Sequence, residues 1–139
     1  MPLHLIATIG RAILGAYFLL GGAGKIFGAG GGDEIAHMAA AGIPYAEYLF
    51  PLSGACEIIG GLTLLVGLHT RLVALLLAAF VILVSVTLHA FWRMDGAADH
   101  ERFVQMIMFF KNMTTFAGLL AFVGFGSGPL AIDNFYRKE

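Results

Sequence analysis

The chain has 139 residues, 59% of them hydrophobic and only 12% charged, with a formal net charge of -1 and a mean hydropathy of +0.86. An average soluble domain carries about 25% charged residues, so an ordinary soluble fold is excluded, and the near-neutral charge excludes a nucleic-acid partner, which wants a basic face. The single cysteine, Cys56, excludes an internal disulfide, a CxxC redox pair and a cysteine-rich metal site.

Four apolar stretches exceed the ~18 residues that read as a membrane-crossing helix. The expected fold is all-α, a polytopic membrane protein of one domain, residues 1–139, in a lipid bilayer. Its spans, at about 3–27, 45–67, 71–92 and 103–125, form a transmembrane four-helix bundle. The start, Met1-Pro-Leu-His, lacks a basic n-region, and the apolar run after it is too long for a signal peptide. It is read as the first span, kept in the mature protein.

In the first span Arg11, Gly15, Phe18, Gly22 and Lys25 fall on one helical stripe. Arg11 lies two turns in and is expected to find an inward partner. Lys25, at the helix end, has two readings: it snorkels to the headgroups, or it turns into the bundle. Residues 28–46, GAGGGDEIAHMAAAGIPYA, are too short and broken to span. Asp33 is a plausible N-cap for a short interfacial helix from Glu34 to Ala41, stopped by Gly42 and Pro44, lying between the first two spans as a lid over one mouth of the bundle. His37 in it is read most simply as a solvated interfacial residue, and more sharply as a ligand contact.

The second span, Tyr45 to Gly67, carries Glu57 almost at its midpoint. A carboxylate at the bilayer centre costs about 2.5–3.5 kcal/mol on insertion scales unless it is paired, neutralised or wetted. Ser53, Gly54, Gly60 and Gly61 surround it at helical spacing, and small residues let neighbouring helices approach closely. This helix is therefore expected to be central. The tight turn at 68–70 makes the next span its antiparallel neighbour. In that third span Ala78, Ile82, Ser85, His89 and Trp92 share a stripe. In the fourth, Lys111, Thr115, Gly118 and Phe122 do, beside Gln105 and Asn112. GFGSGPL then breaks the helix before a polar tail.

Four spans put both termini and the Arg71 turn on one side. Arg71, Arg137 and Lys138 there face Arg93, Arg102 and Lys25 opposite, a slight positive-inside bias that makes both termini cytoplasmic. With a rise of about 1.5 Å per residue, Glu57 sits near the bilayer centre, Lys111 and Asn112 roughly 3–5 Å to one side of it, and Arg11 roughly 6 Å to the other. His89, Lys25 and Glu47 fall about 12–15 Å outward on the same ruler. Glu57 is thus expected to be bracketed by Arg11 and Lys111, with a second polar group at the outer mouth. A cavity bounded by Phe18, Met108, Phe109, Phe110 and Met113, with convergent polar groups, would suit a small ligand. Equally, buried ion pairs serve to fix helix register. Too few His, Cys and acidic residues stand together for a metal site, and haem with two histidine ligands fails for the same reason. A solute or proton pathway would need a continuous polar track, and the half of the bundle beyond Arg11 offers almost none.

The ordered pieces RAILGAYFLLGGAGK (Arg11 to Lys25), GIP (42–44), EIIGGLTLLVGLHTR (Glu57 to Arg71), HAFW (89–92), FFKN (109–112) and GFGSGPL resemble the DoxX family of small four-helix bacterial membrane proteins. The resemblance covers essentially the whole chain. It implies a compact four-helix bundle in the cell inner membrane. Relatives in that family are linked to quinone chemistry: a thiosulfate:quinone oxidoreductase subunit, quinone-stress proteins and a membrane-associated oxidoreductase complex of mycobacteria. The polar motif positions it marks are Arg11, Lys25, Glu57, His89, Lys111 and Asn112. The expectation is a quinone or similar apolar ligand bound by Arg11, Lys25, His89, Lys111 and Asn112, with Glu57 handling a proton. The missing cysteine pair puts dithiol chemistry in doubt, so electron transfer would need a partner protein. The alternative is an assembly or scaffold subunit, alone or in multiple copies, whose ion pairs only lock the bundle.

Overall fold

Every stretch with an unbroken apolar run becomes a helix, and every Gly- or Pro-rich break ends one. The computed structural model describes residues 3–136, with side chains from Leu5 onward. Its elements are α1 (Leu3–Phe27), α2 (Gly31–Ala40), α3 (Ala46–Val66), α4 (Thr70–Leu88), a 3-10 turn (Phe91–Arg93), α5 (Asp99–Phe125) and a short α6 (Asp133–Tyr136). Four of them are long and apolar enough to cross a membrane, over Leu5–Phe27, Ala46–Val66, Thr70–Arg93 and Asp99–Phe125.

The helix ends follow local chemistry. α2 begins three residues before the expected Glu34. Gly30, not Asp33, holds the cap position, and no side chain caps it. Asp33 and Glu34 fall instead within the first turn, where carboxylates meet the positive end of the helix dipole. α3 closes on Gly67, whose φ of 70° lets Leu68 N–H reach the Thr63 carbonyl at 3.0 Å, the left-handed ending that favours glycine. α4 stops at Leu88 rather than running helical to Trp92. There Phe91 and Trp92 turn onto Phe109, with ring centroids 5.8 and 5.2 Å apart. α5 starts at Asp99, ahead of the expected Phe103, with Asp99 and Glu101 in its first turn.

α1 packs most intimately on α3 and α4 on α5, while α3 meets α4 and α1 meets α5 more lightly. The α1–α3 seam is built of glycine. A Cβ placed on Gly61 would stand 2.6 Å from the Gly15 carbonyl oxygen, and one on Gly15 would stand 2.8 Å from that of Gly61. One heptad along, Gly22 and Gly54 meet the same way. Two backbones in this proximity exchange dispersion contacts that side chains would prevent. The stripe carrying Gly15 and Gly22 therefore faces α3, as its spacing suggested.

Phe18, Leu64, Ala74, Leu77, Ala78, Val81 and Leu119 form the core. Ile13, Leu20, Leu72 and Leu83 are exposed, so the outside is as greasy as the inside, which suits lipid rather than water. α2 folds back over the end opposite the termini, burying Met38 against Ala46 and Phe50, with Leu88 of α4 packed alongside.

At the other end, residues 126–136 strap across the bundle. Ile132 and Asp133 N–H donate to the Val66 and Gly67 carbonyls at 3.1 and 3.0 Å. The Asp133 carboxylate accepts from the N–H groups of His69 (2.6 Å) and Thr70 (2.9 Å), capping the start of α4. Burial pushes this carboxyl up, but hydrogen bonding from Thr70 and His69, with the His69 charge, outweighs it and holds it below the usual carboxylate range. Arg137 and Lys138, used above to orient the chain, lie outside the described residues.

Candidate functional site

Antiparallel α1 and α3 set Lys25 opposite the first turns of α3, about one turn from Glu57. Lys25 does not snorkel outward. Its stem runs inward along the seam, with its Cβ beside Gly54, and its Nζ lies 2.8 Å from Glu57 Oε1. The same ammonium donates to Ser53 Oγ at 3.2 Å, and Ser53 Oγ donates to the Phe50 carbonyl at 2.7 Å. Phe80 and Phe50 flank the cation, with ring centroids 5.5 and 5.9 Å away. Glu57 itself is 9% exposed. Its second oxygen, Oε2, is buried and has no hydrogen-bond partner among the described residues. A buried acceptor is thus left open beside the ion pair.

Arg11 requires a correction. It does not bracket Glu57 but belongs to the opposite end of the bundle. There it is 1% exposed, with Gly67 packed against its guanidinium and Nη2 donating to the Leu130 carbonyl of the strap. Phe18, at 2% exposed, packs into the hydrophobic core. Two grooves, of about 320 and 910 Å3, lie against residues 125–136 at the strap end, away from Glu57.

Lys111 is exposed on α5, with Nζ 5.8 Å from the Tyr17 ring centroid. It makes no salt bridge to the Glu57 carboxylate. His89 Nδ1 meets Gln105 Oε1 at 2.7 Å. Asn112 is buried at 6% exposed and does not touch the Glu57 carboxylate. Glu47 is exposed and stands apart from the pair. His37 Nε2 lies 3.1 Å from the Leu88 carbonyl, so the α2 lid is pinned to α4 rather than solvated. The structure therefore gathers Lys25, Glu57 and Ser53 into one group, pairs His89 with Gln105 and Lys111 with the Tyr17 ring, and leaves Arg11 out. Ser53 carried no signal beyond its spacing from Glu57. Phe50 and Phe80 carried none, since aromatic residues in an apolar run are ordinary.

Chemically, this is an ion pair in the apolar interior with one unused acceptor and rings around the cation. Among the described residues no three or more His, Cys, Asp or Glu side chains stand close enough to hold a metal ion.

The comparisons with known proteins agree with this architecture. Residues 6–90 match the DoxX family, and residues 52–139 match the SURF4 family. The chain is 31% identical over 131 residues to inner membrane protein YqjF of Escherichia coli (strain K12), covering 94% of this chain and 92% of that protein. No solved structure matches. The four-span chain is a multi-pass membrane protein and belongs to the DoxX family.

Proposed function

We propose that this protein binds a quinone or a similar small apolar ligand within the inner membrane, both termini cytoplasmic, as a subunit of a membrane redox system. One observation carries the reading: Glu57 Oε2 is buried at mid-span and unpartnered among the described residues. Leaving a buried acceptor unmade costs about 1–3 kcal/mol, and intramembrane ionisable groups default to functional sites. Membership of a family linked to quinone chemistry supports it, as does the inner-membrane name of the Escherichia coli relative.

A bound quinone would supply two-electron, two-proton chemistry. The chain's own residues supply the rest. Lys25, fixed by Ser53, holds Glu57 in one orientation, and Oε2 is the atom at which a proton would be held. Lys111, beyond the pair, and His89, held by Gln105, are the donors for more distant ring oxygens, with Asn112 the third polar group on that side. The test is quinone content and titration. Detergent-released protein should co-extract or bind a quinone or its quinol, and Glu57→Gln should weaken binding of the quinol, whose hydroxyl donates to the carboxylate, about tenfold or more, the worth of one hydrogen bond to a charged group. Protein that neither carries nor binds one, with Glu57→Gln inert, contradicts the reading.

A scaffold role is favoured by a different observation. The Lys25–Glu57 pair crosses the Gly22–Gly54 contact, where it would fix the register of α1 on α3. In that case the pair couples in stability, and its loss removes no ligand.

A further inference from the structure

Lys111 puts a charge on the outside of the bundle at mid-depth. It is exposed, and its neighbour Asn112 is the middle residue of the Asp99–Phe125 span. A lysine near a helix end snorkels to the headgroups, but from mid-span these lie about 15 Å away, half of a hydrocarbon core of about 30 Å. Nor does the side chain set out for them. Its Nζ rests 5.8 Å from the Tyr17 ring centroid, and Tyr17 stands beside the middle of the Leu5–Phe27 span. Among the described residues the one salt bridge is Lys25–Glu57, so Lys111 has no anion. A ring face attracts a cation without neutralising it, and a charge at the bilayer centre is costly.

The helix that carries this charge also has the surface to meet another. α5 is the least buried of the four spans. Ile107, Phe110, Thr114, Ala117, Ala121 and Gly124 are all exposed and recur in alternating three- and four-residue steps, the period at which two helices wind on each other. From Thr114 onward these residues are small, which lets a second backbone come close in a membrane. A Cβ on Gly124 would meet nothing within 4 Å. Within that heptad Lys111 flanks the seam next to Phe110, the position at which charges choose the partner.

The missing anion narrows the partner. Lipid phosphates stay at the headgroups, too far from mid-span. A second copy of this chain would bring another Lys111 to the same seam and no free acid at that depth. Its one mid-span acid, Glu57, is buried on Lys25. We propose that the exposed face of α5 docks a membrane-spanning helix of another protein, one that carries an Asp or Glu at mid-span to pair with Lys111. An ammonium has three N–H groups, so Lys111 can serve this partner whether or not a quinone oxygen takes another of them.

The test is fluorescence energy transfer in phosphatidylcholine vesicles between the donor-labelled full chain and acceptor-labelled synthetic helices. Each helix has about 20 apolar residues, enough to span, with one Glu or Gln at its centre. The Glu helix should bind about tenfold or more tightly than the Gln helix, the worth of a hydrogen bond between charged groups. Lys111→Met should erase that preference and Lys111→Arg keep it; both suit an exposed site, so the fold stands. Moving the Glu two turns along the helix should erase it as well. Ala117→Leu with Ala121→Leu should weaken both helices, whereas Ile59→Phe, exposed on α3, should leave binding intact. Equal binding of the Glu and Gln helices, or a preference that survives Lys111→Met, overturns the proposal. Loss of the preference on adding phosphatidylglycerol would give Lys111 to lipid, and transfer between two copies of the chain that excludes the helix would give the face to a dimer; either overturns it too. Quinone content is read in the same vesicles: a Glu preference without quinone leaves this docking face standing while the quinone reading falls, and bound quinone without the preference does the reverse.

Discussion

Lys25, at the far end of α1, reaches inward to bond Glu57 at the middle of α3, Nζ to Oε1 at 2.8 Å. The bond ties the last turn of one span to the centre of another. It lies along a seam where Gly22 and Gly54 hold the backbones in contact, so cation, anion and glycines form one unit. Removing one member of a buried pair leaves the other uncompensated, at about 3–5 kcal/mol. The Lys25 side chain is 27% exposed, so its loss belongs at the lower end of that range. Lys25→Met and Glu57→Gln should each destabilise the bundle, and the double variant should cost clearly less than the two together. Denaturant unfolding in detergent micelles measures all four corners, and strict additivity would mean the pair is not coupled.

The glycine seam gives a sharper steric test. A Cβ on Gly61 would stand 2.6 Å from both the Gly15 oxygen and the Leu19 nitrogen. Both are backbone atoms, with no rotamer to move aside. Gly61→Ala should therefore cost about 1–3 kcal/mol, the usual penalty of overpacking. Gly24→Ala meets nothing and should gain about 0.5–1 kcal/mol from helix propensity. Thermal unfolding of the two variants side by side should move the midpoint in opposite directions.

The strap should be acid-sensitive through Asp133. Its carboxyl is held below the ordinary range while folded, so ionised Asp133 stabilises the docked strap. That contribution is full above the ordinary carboxyl value and is lost as pH falls through the depressed native one. Hydrogen exchange at Ile132 and Asp133 N–H should accelerate relative to α5 as pH drops below about 4, the free aspartate value. Asp133→Asn should show the faster exchange already at neutral pH, with no further acid step.

Arg11 is bonded to the strap rather than to Glu57. Arg11→Met replaces a buried guanidinium, held on one side by the Leu130 carbonyl, with an apolar chain of similar reach. Strap exchange should speed up, while ligand affinity at Glu57 stays within about twofold, a change of less than about 0.5 kcal/mol. A tenfold loss of affinity would return Arg11 to the site.

Much of this was legible in the sequence. Unbroken apolar runs mark the four spans, and the stripe of Gly15 and Gly22 announces a helix-packing face. Glu57 is conspicuous because a carboxylate in hydrocarbon needs a reason. Its partner was harder to read. A depth ruler of helical rise assigns each side chain to the level of its own Cα. It therefore pairs Glu57 with Arg11, although the long stem of Lys25 lets its charge travel a full turn inward. Arg11 in turn is held by the carbonyl of Leu130, 119 residues away. A backbone acceptor supplied by a folded-back tail leaves no pattern in residue types.

The most direct measurement is ligand affinity at Glu57, compared between the unaltered protein and Glu57→Gln, with folding checked by elution profile and unfolding midpoint. The expected result is a bound quinone or quinol, with quinol affinity falling about tenfold or more in a variant that remains folded. An equally folded Glu57→Gln with undiminished binding, or an unaltered protein that binds nothing, would contradict the account and leave the ion pair as a structural tie between two helices.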